Sequence, residues 1–328
     1  MKIELSGEGE QPLARRYTDN VEAYQAYLRG RYFWNKRTGE GFRKAIDHFQ
    51  QAIDIDPKYA QAYAGLADTY ILKRVFALLE PGETLQQMEA KARAAAERAL
   101  EIDDTLAEAH TSLGLIKLLT ENDEAAIERE YKRAIELNPN YATAHHWYAL
   151  HLNGLGRFDE AIREIGRAQE IDPRSLAINS DVGIVFTTGR QYDQAIQHFK
   201  KVIEMDPNYP DAHSMLGFTY VHKRMYPQAI AEFRQARKLF GSPTSQLDGM
   251  IYAYGKSGNR SEALGILGEL KRITKQHQTQ IPWVNWALIH IGLGEHDKAF
   301  EVLEKAYRDG QNIKPFLNTP YTDPLRSD

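Results

Sequence analysis

One interval recurs along this chain. Segments such as AIDIDPKY, AIELNPNY, AQEIDPRS and VIEMDPNY end at Pro57, Pro139, Pro173 and Pro207, with Asp104 and Gly241 in the equivalent places, so the spacings are 47, 35, 34, 34 and 34 residues. A second ladder of small residues runs Ala45, Ala92, Ala126, Ala161, Ala195, Ala229, Ala263 and Ala299, with steps of 47, 34, 35, 34, 34, 34 and 36. Two independent ladders with one period point to a repeat architecture, in which each unit packs on its neighbours.

Within one period the apolar residues follow a helical spacing, as in Ala195, Ile196, Phe199 and Val202, and each such stretch ends near a proline that cannot continue a helix. Turn signals lie between the two stretches of a unit: Gly154-Leu155-Gly156, Gly189, Gly258 and Gly292-Leu293-Gly294. Glycine tolerates the positive φ of a helix end. Each unit therefore reads as two short helices. Small residues at Ala67, Gly114, Ala149, Gly183, Gly217 and Ala287 on the first helices face the alanine of the second, which lets the two backbones approach closely.

These features resemble the tetratricopeptide repeat, a 34-residue helix–turn–helix with the pattern W-x2-L-G-x2-Y, then A-x3-F and a closing proline. The sixth unit shows it most fully, with His213 in the Trp slot, then Leu216-Gly217, Tyr220, Ala229, Phe233 and Ala236. The resemblance implies an all-α fold, a right-handed α-solenoid superhelix of about eight helical hairpins forming one continuous domain over 1–328. The units fall near 21–57, 60–104, 107–139, 142–173, 176–207, 210–241, 244–277 and 280–311, leaving a C-terminal extension at 312–328.

Three units depart from the pattern. The first has a longer first helix or turn through Arg31-Tyr32-Phe33-Trp34. The second is 13 residues over length between Tyr70 and Ala92, with a Pro81-Gly82 turn in the insert and a second helix expected from about Thr84. The seventh has Ile251 where a small residue is expected and Gly241 in place of proline, which marks it as the weakest joint.

A narrower resemblance concerns the two ends. The opening AYQAYLRGRYFWNKRTGEGF and the closing IHIGLGEHDKAFEVLEKAYRDG with DPLRSD are similar to the C-terminal arrays of bacterial multidomain signalling and transcription regulators, in which a winged-helix, nucleotide-cyclase or protein-kinase domain precedes the repeats. That resemblance implies a regulatory module whose partner is a protein or peptide, or an N-terminal output domain of the same parent chain. A complete stand-alone adaptor is the alternative, because repeat arrays are self-sufficient folding units.

Composition narrows the function classes. With 45 acidic against 41 basic residues the net charge is −4, too balanced for an electrostatic nucleic-acid binder, so a helical-repeat RNA reader is the weaker alternative. Cysteine is absent, which removes disulfides, thiolate metal sites and cysteine nucleophiles together. There is no membrane-length apolar run and no export signal, so a cytoplasmic place without membrane contact is expected. No cofactor is expected.

The chemistry-bearing residues read mainly as packing. His110, His145 and His213 share the Trp slot; His145 and His151, six apart, lie on different helix faces, so no metal site is expected. The mixed cation–aromatic run Arg29 to Arg37 reads as the cap of the first repeat, and the acids of Glu121-Asn122-Asp123-Glu124 as partners of a helix N-terminus. Gly154-Leu155-Gly156 completes no phosphate-loop pattern. No nucleophile, base and orienter converge in this register, so no enzyme is expected.

Family geometry puts positions 2, 5, 9, 12 and 13 of each unit in the concave groove. Carried onto this chain, it implies partner contacts at Gln61, Asp68, Thr111, His146, Asn153, Ser180, Thr187, Ser214, Phe218, His222, Asp248 and Tyr252. That groove is neutral and polar with apolar patches, suited to an extended or helical peptide anchored on Phe218 and Tyr252. The slots where family members clamp a chaperone-tail carboxylate with Lys, Asn and Arg hold Ala64 and Asp68, Thr111 and Leu115, and His146 and Leu150, so chaperone binding is not expected.

Overall fold

A computed structural model describes residues 18–326 apart from Ala77, Pro81, Asn122 and Thr279. The regular structure among the described residues is all helix, with no strand. By its contacts the chain divides into two compact units, Met1–Tyr148 with Glu170–Asp172, and Ala149–Gln169 with Pro173–Asp328.

The first unit holds α1 (Val21–Trp34), α2 (Gly39–Ile55), α3 (Ala60–Val75), α4 (Leu85–Ile102), α5 (Ala107–Thr120) and α6 (Glu124–Leu137), and α7 (Ala142–Gly154) begins in it. The second continues with α8 (Phe158–Ile171), α9 (Leu176–Thr188), α10 (Tyr192–Met205), α11 (Pro210–His222), α12 (Tyr226–Phe240), α13 (Leu247–Lys256), α14 (Arg260–His277), α15 (Trp283–Leu293) and α16 (His296–Arg308). After α16 come a single turn, α17 (Lys314–Leu317), and a 3-10 segment, Pro320–Leu325. Odd-numbered helices up to α15 are the first helices of hairpins, and even-numbered ones the second.

The periodic stops have a local cause. At the end of α2, α4, α6 and α10 the capping residue is Asp56, Asp103, Asn138 or Asp206, each in extended backbone. Each side chain accepts a hydrogen bond from the backbone N–H two residues on, at 3.0, 2.9, 3.1 and 2.9 Å. This Asx turn redirects the chain, and the following proline, where present, bars return to the helix.

The turns inside hairpins use a second device. Gly156, Arg190, Arg224 and Gly258, 34 residues apart, all have positive φ, at 78°, 61°, 59° and 82°. Helix starts are capped by Asn20, Thr38, Asp123 and Ser175, and Thr84 forms a full capping box with Gln87. The inserted loop before Thr84 is pinned by Lys73, which is 2% exposed and donates to Glu83 at 2.9 Å.

The cores are built from aromatic rings seated on glycines. A Cβ at Gly30 or Gly65 would meet the Phe49 ring at 2.5 or 2.6 Å, and one at Gly114 would meet Tyr131 at 2.8 Å. In the second unit Gly183 faces Phe199 at 2.6 Å, and Gly217 and Gly249 face Phe233 at 2.7 and 2.8 Å. Phe49, Phe199, Phe233 and Tyr131 are fully buried, so each glycine is a socket for one ring.

The seventh hairpin departs from the expected register. Gln246 turns left-handed at φ 62°, so α13 starts only at Leu247, and Ile251 is fully buried in the core shared with Leu267, Leu270 and Ile289. The close approach moves to Gly255 and Gly292: a Cβ on the first would lie 2.3 Å from the Gly292 carbonyl oxygen, and one on the second 2.6 Å from the Tyr252 Cα. Helices α13 and α15 are thus packed backbone to backbone.

Candidate functional site

In the first unit the first helices share a buried polar network. Arg31 on α1 reaches Asp68 on α3 at 3.2 Å, and Ser112 on α5 donates to the other oxygen of Asp68 at 2.7 Å. Gln61 donates to Glu108 at 3.2 Å. Burial pushes the carboxyls of Asp68 and Glu108 up, opposed at both by the Arg31 charge. Thr111 is buried and donates back to the Ala107 carbonyl at 2.9 Å; His146 is buried on α7. The cation–aromatic run lies in α1 and the turn after it, where the guanidinium carbons of Arg31 and Arg37 sit 4.2 and 3.6 Å from the centroid of buried Trp34.

The Trp-slot residues form one repeated staple. His110, His145 and His213 each meet, through Nε2, the carbonyl six residues back, that of Asp104, Pro139 or Pro207, at 3.3, 3.1 and 3.2 Å. Asn179 does the same to Pro173 at 3.0 Å. Through Nδ1, His110 and His213 also hold Glu130 and Glu232 on the second helix, at 2.8 and 2.6 Å. Among the described residues no group of three His, Asp or Glu is placed to hold a metal ion.

In the second unit four of the sequence-selected residues, Asn153, Thr187, Phe218 and Asp248, line one cavity of about 450 Å³. Asn153 accepts from Thr188, Thr187 shares a hydrogen bond with Thr219 at 2.9 Å, and Asp248 accepts from Asn285 at 2.6 Å. Burial pushes the Asp248 carboxyl up, against the Gly249 N–H and Asn285. Ser180 is buried on α9, and Ser214, also buried, donates to Gln246 at 2.8 Å. At the edge of the same cavity Phe218, together with His222 and Tyr252, surrounds Tyr321, with ring centroids 5.4, 4.9 and 6.1 Å from it.

Tyr321 belongs to the C-terminal extension, which sequence reasoning set aside as lying outside the repeats. Segment 314–325 lies against the first helices of the second unit and completes their core with Phe316 and Leu325. Its signal was there to be read: Phe316, Tyr321 and Leu325 are interleaved with Pro315, Pro320 and Pro324, an apolar pattern too regular for a solvated end.

Consecutive helical hairpins whose cores are made between neighbours define a helical-repeat protein-interaction scaffold. A TPR repeat family model matches residues 189–223, and two tetratricopeptide repeat models match 128–175 and 282–308. These three stretches of the chain are tetratricopeptide repeats. No curated protein sequence matches it. Among solved structures it is similar to yeast Tom70, at 16% identity, covering 95% of this chain and 66% of that one with a TM-score of 0.52. PilF of Pseudomonas aeruginosa aligns at 22% identity over 64% of this chain and 93% of its own, with a TM-score of 0.48. At such identity the Tom70 likeness is one of fold. No helix among the described residues is long and apolar enough to cross a membrane.

Proposed function

We propose that the chain works by recognition without chemistry: a non-catalytic scaffold whose first helices form a groove for a peptide or partner domain. The candidate contacts are Gln61, Asp68, Thr111 and His146 in the first unit. In the second they are Asn153, Ser180, Thr187, Ser214, Phe218, His222, Asp248 and Tyr252. The observation that carries the reading is that the first-helix face of the second unit receives a non-repeat stretch of chain, with Tyr321 as its aromatic anchor. A face that receives one irregular segment has the chemistry to receive another.

The similarity of the two ends to bacterial regulator arrays supports a further step, in which the array is the interaction part of a larger cytoplasmic regulator. Binding along the groove would stiffen or re-pitch the stack and pass that change to an output domain. An antibody raised against this chain tests it in source cells. A band well above 37.5 kDa is expected. A band at 37.5 kDa would instead identify a stand-alone adaptor. In either case a partner should co-purify with the wild-type chain and be lost with Asn153→Arg, which puts bulk and charge into the groove; retention of the partner by that variant would overturn the groove reading.

A further inference from the structure

In a repeat stack each element normally touches only its sequence neighbours, so a contact between distant segments stands out. Segment 314–325 makes several. Asn318 donates to the Gly154 carbonyl at 2.7 Å across 164 positions, and Asp323 pairs with Arg190 at 2.6 Å across 133. Tyr321 packs against Phe218 and His222 of α11 and Tyr252 of α13, and Phe316 meets Trp283 of α15 edge-on at 5.6 Å. The segment thus touches the end of α7, the turn after α9, and α11, α13 and α15.

The segment is also folded on itself. Thr322 donates to the carbonyls of Leu317 and Thr319 at 2.9 and 3.0 Å, Thr319 to that of Phe316 at 2.6 Å, and Arg326 to Leu317 at 2.6 Å. Three prolines restrict its backbone further, so it needs little ordering to dock.

Its fit is incomplete. The cavity of about 450 Å³ lies between the segment and the helices, walled by Pro315, Phe316, Thr319 and Tyr321 on one side and by Leu150, Ile184 and others on the other. The cavity opens to solvent, and ligand sites of this volume are ordinary. The ion pair that ends the contact is 41% exposed on both sides, which makes it weak.

We infer that segment 314–325 is an internal ligand, held on the first-helix face of the second unit in place of a partner, and that the partner is a short protein segment folded in turns as the tail is, with an aromatic ring at the Tyr321 position and a carboxylate two residues after it. The inference rests on the groove reading given above. Tethering sets the local concentration of the segment on the order of millimolar, so a free segment of equal affinity competes poorly until the tail is released. The tail therefore sets a threshold for partner binding.

The test uses the full chain and a fluorescent synthetic peptide with the sequence of residues 312–326. Tyr321→Ala loosens the tail and leaves the face intact; this variant is expected to bind the peptide at least tenfold more tightly than wild type, and adding Phe218→Ala should remove the gain. Equal binding to wild type and Tyr321→Ala, insensitive to Phe218→Ala, would overturn the internal-ligand inference while leaving the scaffold reading standing. Binding to neither would overturn both. Asn318→Ala with Asp323→Ala loosens the tail without touching its buried rings and serves if Tyr321→Ala does not fold. Hydrogen exchange on the wild-type chain gives a second reading: amides of 314–325 should exchange well before those of α15, and exchange only with global unfolding would make the tail a fixed part of the fold and sink the inference.

Discussion

The imidazole of His222 lies between two phenol rings, stacked on Tyr192 at 5.4 Å and tilted against Tyr321 at 4.9 Å. Its Nε2 is buried without a hydrogen-bond partner. Burial pushes its pKa down to about 4, with Asp323 opposing and Lys256 and Arg190 reinforcing the shift. A neutral His222 thus forms part of the surface on which the tail docks.

This geometry gives a pH dependence of known sign. The unfolded chain takes up the proton near pH 6.5 and the folded one only near pH 4, so the stabilisation is complete above pH 6.5 and is lost as pH falls through that window. The loss approaches about 3 kcal/mol for complete burial and is smaller for a ring that keeps some solvent contact. Urea midpoints at pH 7 and pH 4.5 measure it. His222→Phe should reduce the fall between the two pH values; an unchanged fall would show that the acid sensitivity lies elsewhere.

The glycine sockets predict a contrast between two substitutions of the same kind. At Gly217 a methyl group would meet the ring of buried Phe233 at 2.7 Å, and that ring is also wedged against Gly249. Gly217→Ala should therefore cost about 2 kcal/mol from overpacking, outweighing the gain of up to about 1 kcal/mol from helix propensity. At Gly265, on the exposed side of α14, a methyl group meets nothing within 4 Å, and Gly265→Ala should stabilise by up to about 1 kcal/mol. Thermal midpoints that move in the same direction for both would contradict the socket description.

Much of this was legible because it is periodic. Proline stops, alanine ladders and Trp-slot histidines recur, and each marks a local requirement: an Asx turn, a close helix contact, a carbonyl to be satisfied. What lacked a period was harder to read. Arg190 and Arg224 hold left-handed turns in places where Gly156 and Gly258 stand in other units, and an arginine there carries no such signal. The tail repeats nothing, and its place is set by contacts more than 130 residues away in sequence. The groove residues were chosen by repeat position alone; that four of them would line one cavity, and that one of these, Phe218, would join His222 and Tyr252 around Tyr321, depends on tertiary packing around a segment the pattern ignored.

The histidine staple predicts a cost that ordinary packing would not. His213 closes the sixth hairpin by meeting the Pro207 carbonyl and Glu232 at once. Truncating the ring removes both contacts at once, and His213→Ala should cost about 2 kcal/mol. Pairing it with Glu232→Ala in a double-mutant cycle should reveal a coupling of about 1 kcal/mol. Strictly additive effects would reduce the histidine to a spacer.

The buried network of the first unit should respond to pH in the opposite sense from His222. Asp68 is 1% exposed and its carboxyl is pushed up by burial; the Arg31 charge and the Ser112 hydroxyl hold that rise in check. A carboxyl whose folded pKa is raised contributes stability that is present at low pH and lost as pH rises through the folded value. Removing the guanidinium with Arg31→Met takes away the ion-pair partner of the carboxylate and leaves only the weaker field of Arg37, at a cost of about 3 kcal/mol at pH 7. That cost should shrink toward pH 4, where Asp68 takes up a proton and no longer needs the cation. Adding Asp68→Asn to Arg31→Met should recover most of the loss at pH 7, because an amide in that place carries no charge to compensate. Urea denaturation of the three proteins at both pH values distinguishes the cases: a cost of Arg31→Met that is the same at pH 4 and pH 7, and that Asp68→Asn does not relieve, would mean that Arg31 acts through its contact with Trp34 and not through Asp68.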